Sequence, residues 1–135
     1  MGRSSTYKLL FAVHDHCEFA EVTVADSPRD ANACENSPIL VTNDDMWAIP
    51  HARNGMSAGI RAFGIDGNTL HVNALRVTAA DSTPDNVAVA AFIAVGLYAD
   101  RIDDADCYID NFIHGGRIRF PETDDELADW LRLSP

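Results

Sequence analysis

From position 83 the chain carries one long apolar run. Thr83, Pro84 and Asp85 have the chemistry of a helix start: a hydroxyl to cap it, a proline whose fixed φ suits the first turn, and a carboxylate at the positive end of the dipole. Val87 to Ala99 then contains no charged side chain. A surface helix interrupts such a run with polar residues every three or four positions. The segment therefore reads as a helix over about 83–101 that is covered on all sides. It is shorter than the ~20 residues needed to span a bilayer.

Elsewhere the pattern changes to period two. Tyr7 to Val13 reads as a strand, His14-Asp15-His16-Cys17 as its turn, and Glu18 to Val24 as its partner. Ala20, Val22 and Val24 fall on one face of that partner, with Phe19 and Glu21 on the other. Asp26 to Pro38 is polar and broken by prolines, so it reads as a loop. Ile39 to Val41 reads as a short strand. Asn43-Asp44-Asp45 marks a turn, Met46 to Ile49 stops at Pro50, and His51 to Gly59 reads as a second loop.

Ile60 to Ile65 and Thr69 to Thr78 flank Asp66-Gly67-Asn68. Asp-Gly is a favoured type I′ pair, which predicts a hairpin with Leu70, Val72 and Ala74 on one face. A third hairpin is predicted where Cys107 to Ile113 and Arg117 to Phe120 flank His114-Gly115-Gly116. Thr123 with Glu126 spells a capping box ahead of Leu127, Trp130 and Leu131, the apolar face of a short C-terminal helix. The expected architecture is one α+β domain over 1–135, an antiparallel sheet of hairpins packed on one central buried helix.

Charge changes the picture more than composition does. The chain has 21 acidic residues against 10 Lys and Arg, a formal charge of −11. Such a charge repels nucleic acid and anionic membrane and draws in basic partners. Three widely spaced cysteines, Cys17, Cys34 and Cys107, form neither a disulfide framework nor a zinc ribbon. They fit a reducing cytoplasm. The apolar run Leu9 to Val13 is too short for a signal-peptide core.

Candidate chemistry is sparse. His14 and His16 with Glu21 spell His-x-His-x4-Glu, which resembles the first metal motif of the cupins. The resemblance covers eight residues and implies a divalent metal held by two imidazoles and a carboxylate. Pro28 stands where a glycine is expected, and His71 and Asn73 do not complete a second motif. The plainer reading is a pair of solvated histidines in a hairpin turn.

Asp100, Asp103, Asp104, Asp106 and Asp110 crowd eleven residues. From Asp104 the fifth and sixth positions are Tyr108 and Ile109, which breaks the calcium-loop pattern. At the C-terminal end of a helix these carboxylates are unfavourable, so they read as a solvated face or as a patch kept for a partner. Cys107 and His114 flank a predicted hairpin, but in acidic surroundings that disfavour a thiolate. There is no phosphate-binding loop, dinucleotide fingerprint or Gly-x-Ser-x-Gly elbow.

The expectation is therefore a non-enzymatic, cofactor-free acidic binding protein. In concrete form it is an inhibitor or immunity-type protein against a basic, nucleic-acid-acting partner, with the five aspartates as its contact. The alternatives are a metal-dependent enzyme or ligand-binding protein using His14, His16 and Glu21, and an oligomeric structural protein built as a homo-oligomer.

Overall fold

A computed structural model describes residues 3–13, 16–26, 43–66 and 70–132. The predicted strand at 39–41, the loop over 27–38 and Cys34 lie outside them.

Strands β1 (Ser4–Val13) and β2 (His16–Ala25) form the predicted hairpin, pairing antiparallel from Ser4 opposite Ala25 to Val13 opposite His16, with His16 and Cys17, read in the sequence as turn, inside β2. β3 (His71–Arg76) pairs antiparallel with β2, in the order β1-β2-β3. Tyr7, Leu9, Ala20, Val22 and Val24 are buried on the inner face, while Lys8 and Leu10 point outward. In β3 the register slips: Val24 faces Val72 and Thr23 faces Ala74. Asn73 falls between those two pairs. Leu70 and Val72 are buried as predicted, but the bulge resets the alternation, so Leu75 is buried in place of Ala74.

Helix α1 (Ile49–Phe63) occupies residues read in the sequence as a loop followed by a strand, so the hairpin predicted around Asp66-Gly67 does not form. A 3-10 turn over Asn43–Ala48 leads into it. Pro50 does not stop this segment but lies in its first turn, where a missing N–H costs nothing. Gly64, at φ 64°, ends the helix with its N–H bonded to the Ile60 carbonyl.

Helix α2 (Pro84–Tyr98) is the predicted central element, and every residue from Asn86 to Val95, with Gly96, is buried. Thr83 caps it, its Oγ1 accepting from the Asn86 N–H at 3.1 Å. One side of α2 covers the inner face of the sheet and the other packs on α1. The two helices come unusually close. A Cβ at Gly55 would lie 2.1 Å from the Ala88 carbonyl oxygen, and one at Gly59 would lie 2.9 Å from Val95 Cβ. Phe63 continues the seam against Gly96 and Phe92. The contacts Gly55–Ala88, Gly59–Val95 and Phe63–Gly96 ascend together along both helices, so α1 and α2 run in the same direction.

Beyond α2 the predicted strand Cys107–Ile113 is replaced by a short helix α3 (Ala105–Tyr108) and a 3-10 turn (Ile109–Phe112). Only β4 (Ile113–His114) and β5 (Arg117–Ile118) are extended, joined through Gly115 and Gly116 at φ 65° and 76°. Helix α4 (Asp124–Arg132) starts as predicted, with the Glu126 N–H bonded to Thr123 Oγ1 at 3.1 Å. Phe92 lies at the centre of an aromatic cluster, its ring 5.1 Å from Phe63, 5.6 Å from Phe112 and 6.1 Å from Phe120. No helix among the described residues is long and apolar enough to cross a membrane.

Candidate functional site

The acidic segment follows the C-terminal end of α2, as the sequence suggests. The chain leaves the helix at Asp100, which adopts a left-handed φ of 56°, and Ile102 is buried against Gly96. A new helix then starts, and Asp104 is its cap. Its Oδ1 accepts from the backbone N–H groups of Asp106 and Cys107 at 3.1 and 3.2 Å. Its Oδ2 accepts from the Cys107 thiol at 3.1 Å. The thiol bond, then the backbone bonds, hold the Asp104 carboxyl below its usual range, and the same contact pushes the Cys107 thiol up. A carboxylate expected to oppose a helix C-terminus thus stabilises a helix N-terminus.

α3 and the turn after it bring Asp106 and Ile109 alongside β1. Between them lies a groove of about 300 Å³ lined by Tyr7, Lys8, Leu9, Leu10, Phe11, Asp106 and Ile109. The Tyr7 phenol is buried there and pushed up to about 12, by burial first and then by Asp106, Asp104 and Asp110. Three of the five predicted aspartates therefore act on one place. Asp106 and Asp110 are exposed, and neither has a basic partner among the described residues. Asp103 is also exposed.

Asp100 is placed elsewhere. Its carboxylate accepts from Arg3 Nη2 at 3.2 Å, and the Arg3 guanidinium lies 4.8 Å from the centre of the Tyr98 ring. The Arg3 backbone N–H donates to Asp26 Oδ1 at 2.7 Å, and the Tyr98 hydroxyl lies 3.4 Å from Asp26 Oδ2. Asp100 belongs to the tie between the start of β1 and the end of α2. The residues absent from the sequence-based site are Tyr7, Leu9, Phe11 and Ile109. They read as ordinary strand residues, and only the strand order turns their segment into an edge.

The other candidates separate. Cys107 is engaged by Asp104, whereas His114 stacks on Trp130 at 3.9 Å with its Nε2 3.0 Å from the Asn111 carbonyl. A thiol bonded to a carboxylate and pushed up is the reverse of a nucleophile's setting. Cys17 is half-buried in β2. Glu21 accepts from Arg76 Nη1 at 3.1 Å across the β2–β3 pair. His14 and the His16 side chain lie outside the described residues. Among the described residues no three His, Cys, Asp or Glu side chains converge to hold a metal ion.

A second cavity, about 250 Å³, separates α1 from α4 and is lined by Ala58, Ala62, Leu127, Ala128 and Leu131. Arg61 closes its rim through two 3.1 Å hydrogen bonds to Asp124. Its one carboxylate, Asp124, is taken up by Arg61, and its lining holds no nucleophile or metal-ligand set. Comparison with protein-family models, with characterised proteins and with solved structures finds no match to this chain.

Proposed function

We propose that this protein is an acidic binding module that engages a basic protein, in the manner of an inhibitor or immunity-type protein blocking a nucleic-acid-acting enzyme. The supporting observation is the placement of Asp106 on the wall of the groove along β1, with Asp110 near enough to act on the Tyr7 phenol there, both exposed and without a basic partner among the described residues. A chain charge of −11 adds long-range attraction for a basic surface and repels nucleic acid, so a partner meets this protein in competition with its own substrate. The exposed Cys107 thiol suits a reducing cytoplasm as the place of encounter.

The test is capture from a lysate of the source cells with the wild type and with the Asp106→Asn/Asp110→Asn double variant, at low and high salt, followed by assay of the captured protein. The expected result is a basic protein held by the wild type at low salt and released by screening. It is held less by the double variant, and its nucleic-acid-directed activity falls on adding the wild type. Equal capture by both forms, or an unaltered activity, overturns the reading.

A further inference from the structure

We propose that the open edge of β1 over Tyr7–Phe11 takes up an extended basic segment of the partner as an added strand, with Asp106 and Asp110 receiving its lysine or arginine side chains. The inference rests on the acidic-binding reading above and specifies its site and geometry.

β1 pairs with β2 on one side, and among the described residues no strand covers its other side. An edge of that kind presents a row of backbone N–H and C=O groups ready to pair with another chain. Protein edges are commonly blunted by lysine, proline or a bulge. β1 has no proline or bulge, its register with β2 is unbroken from Ser4 to Val13, and its one lysine, Lys8, stands on the outward face opposite Glu21. The groove supplies the room. It runs along five consecutive residues of the edge, about 17 Å at ~3.4 Å per residue, with α3 as its far wall.

The walls select the occupant. Side chains of an added strand alternate between two faces. Those turned inward meet Tyr7, Leu9, Phe11 and Ile109, with Asp106 beside them. A lysine or arginine suits such a wall, because its aliphatic stem lies on apolar surface while its charged head reaches a carboxylate. A second copy of this chain does not suit it. Antiparallel pairing of two β1 edges about Lys8 opposes like charges and brings two acidic α3 segments together, on chains that each carry −11.

The experiment uses the whole chain, isotopically labelled, with three eight-residue probes: a peptide alternating lysine with valine and threonine, its glutamate counterpart, and the lysine peptide N-methylated at every second amide. The lysine peptide is expected to bind at low salt and to shift the Tyr7–Phe11 amides. The glutamate peptide is expected not to bind. N-methylation, which removes the strand-pairing donors, is expected to weaken binding at least about tenfold. The Asp106→Asn/Asp110→Asn variant is expected to weaken it roughly three- to tenfold, with unchanged thermal unfolding.

Failure of the two ideas is distinguishable. If the methylated and unmethylated lysine peptides bind equally, and both lose affinity in the double variant, strand addition is overturned while the acidic-binding reading stands. If lysine and glutamate peptides behave alike, both fall. If no peptide shifts β1 and sedimentation shows dimers with protected β1 amides, the edge belongs to a second copy and the proposal is overturned.

Discussion

The Glu18 carboxylate, on the inner face of β2, accepts a hydrogen bond from the Ile118 backbone N–H at 2.9 Å, linking residues one hundred positions apart. Glu18 is 2% exposed, an unusual place for a glutamate. β5 has only two residues, too few to hold itself against the core. The carboxylate meets a backbone donor that would otherwise be buried unpaired. Glu18→Ala should cost about 1–3 kcal/mol in chemical denaturation and speed hydrogen exchange at the Ile118 amide. Glu18→Gln, which keeps an acceptor, should cost less. Equal exchange at Ile118 in the wild type and Glu18→Ala would contradict this.

Gly55 and Gly59 set the distance between α1 and α2, and the two should respond differently to alanine. At Gly55 the new methyl meets the Ala88 backbone at 2.1 Å, and backbone inside a helix cannot rotate away. At Gly59 it meets Val95 Cβ at 2.9 Å, an atom fixed to its helix, so the helices must still part there, but by less than at Gly55. Alanine also favours helix by up to ~1 kcal/mol over glycine. Gly55→Ala should lose about 1–3 kcal/mol or more despite that gain, and Gly59→Ala clearly less. Denaturation midpoints in the reverse order would rule out this packing.

Phe92 touches α1, the turn before β4 and the segment after β5 through Phe63, Phe112 and Phe120. Phe92→Ala should cost about 3–5 kcal/mol. A loss below ~1 kcal/mol would mean that the helix is not the centre of the core.

The elements legible in the sequence are those whose signal is local. Thirteen uncharged residues after a Thr-Pro-Asp start mark α2, a run of large apolar residues marks β1, alternation marks β2, and Thr123 with Glu126 marks α4. α1 was hidden because its markers have a second meaning. Pro50 and the two glycines read as loop residues, yet the proline sits where a helix tolerates it and the glycines are the contact with α2. β3 lost its alternation to a bulge set by pairing with β2. The acidic cluster was visible as composition. Its meaning was not, because Asp104 as a cap, Asp100 as the partner of Arg3, and Asp106 on the wall of a groove follow from tertiary placement alone.

Tyr7 makes the groove measurable by pH. Its phenol is pushed from 10.0 up to about 12, so the folded state keeps a proton that the unfolded chain has already released. The stabilisation is fully present below pH 10 and is lost as pH rises toward about 12. At ~1.4 kcal/mol per pKa unit the loss across that window is about 2–3 kcal/mol. Tyr7→Phe should flatten the alkaline limb of the stability–pH curve, and Asp106→Asn/Asp110→Asn should lower the phenol's titration. An alkaline limb unchanged in Tyr7→Phe would remove Tyr7 from the buried position described above.

Cys107 tests the cap of α3 directly. The thiol is exposed, so alkylating reagents reach it, but its hydrogen is donated to Asp104 and the nearby carboxylates oppose a thiolate. Cys107 should therefore react more slowly near neutral pH than an unstructured cysteine, because the thiolate is the attacking species. Asp104→Asn separates charge from capping. Asparagine caps a helix about as well as aspartate, so the N–H bonds to residues 106 and 107 persist while the negative charge is removed. The alkylation rate of Cys107 should then rise with no change in the exchange of those two amides. Asp104→Ala should raise both, since it removes the cap as well as the charge. A Cys107 rate that is the same in wild type and Asp104→Asn would show that the carboxylate does not hold the thiol, and Asp104 would then be one more charge available to the groove.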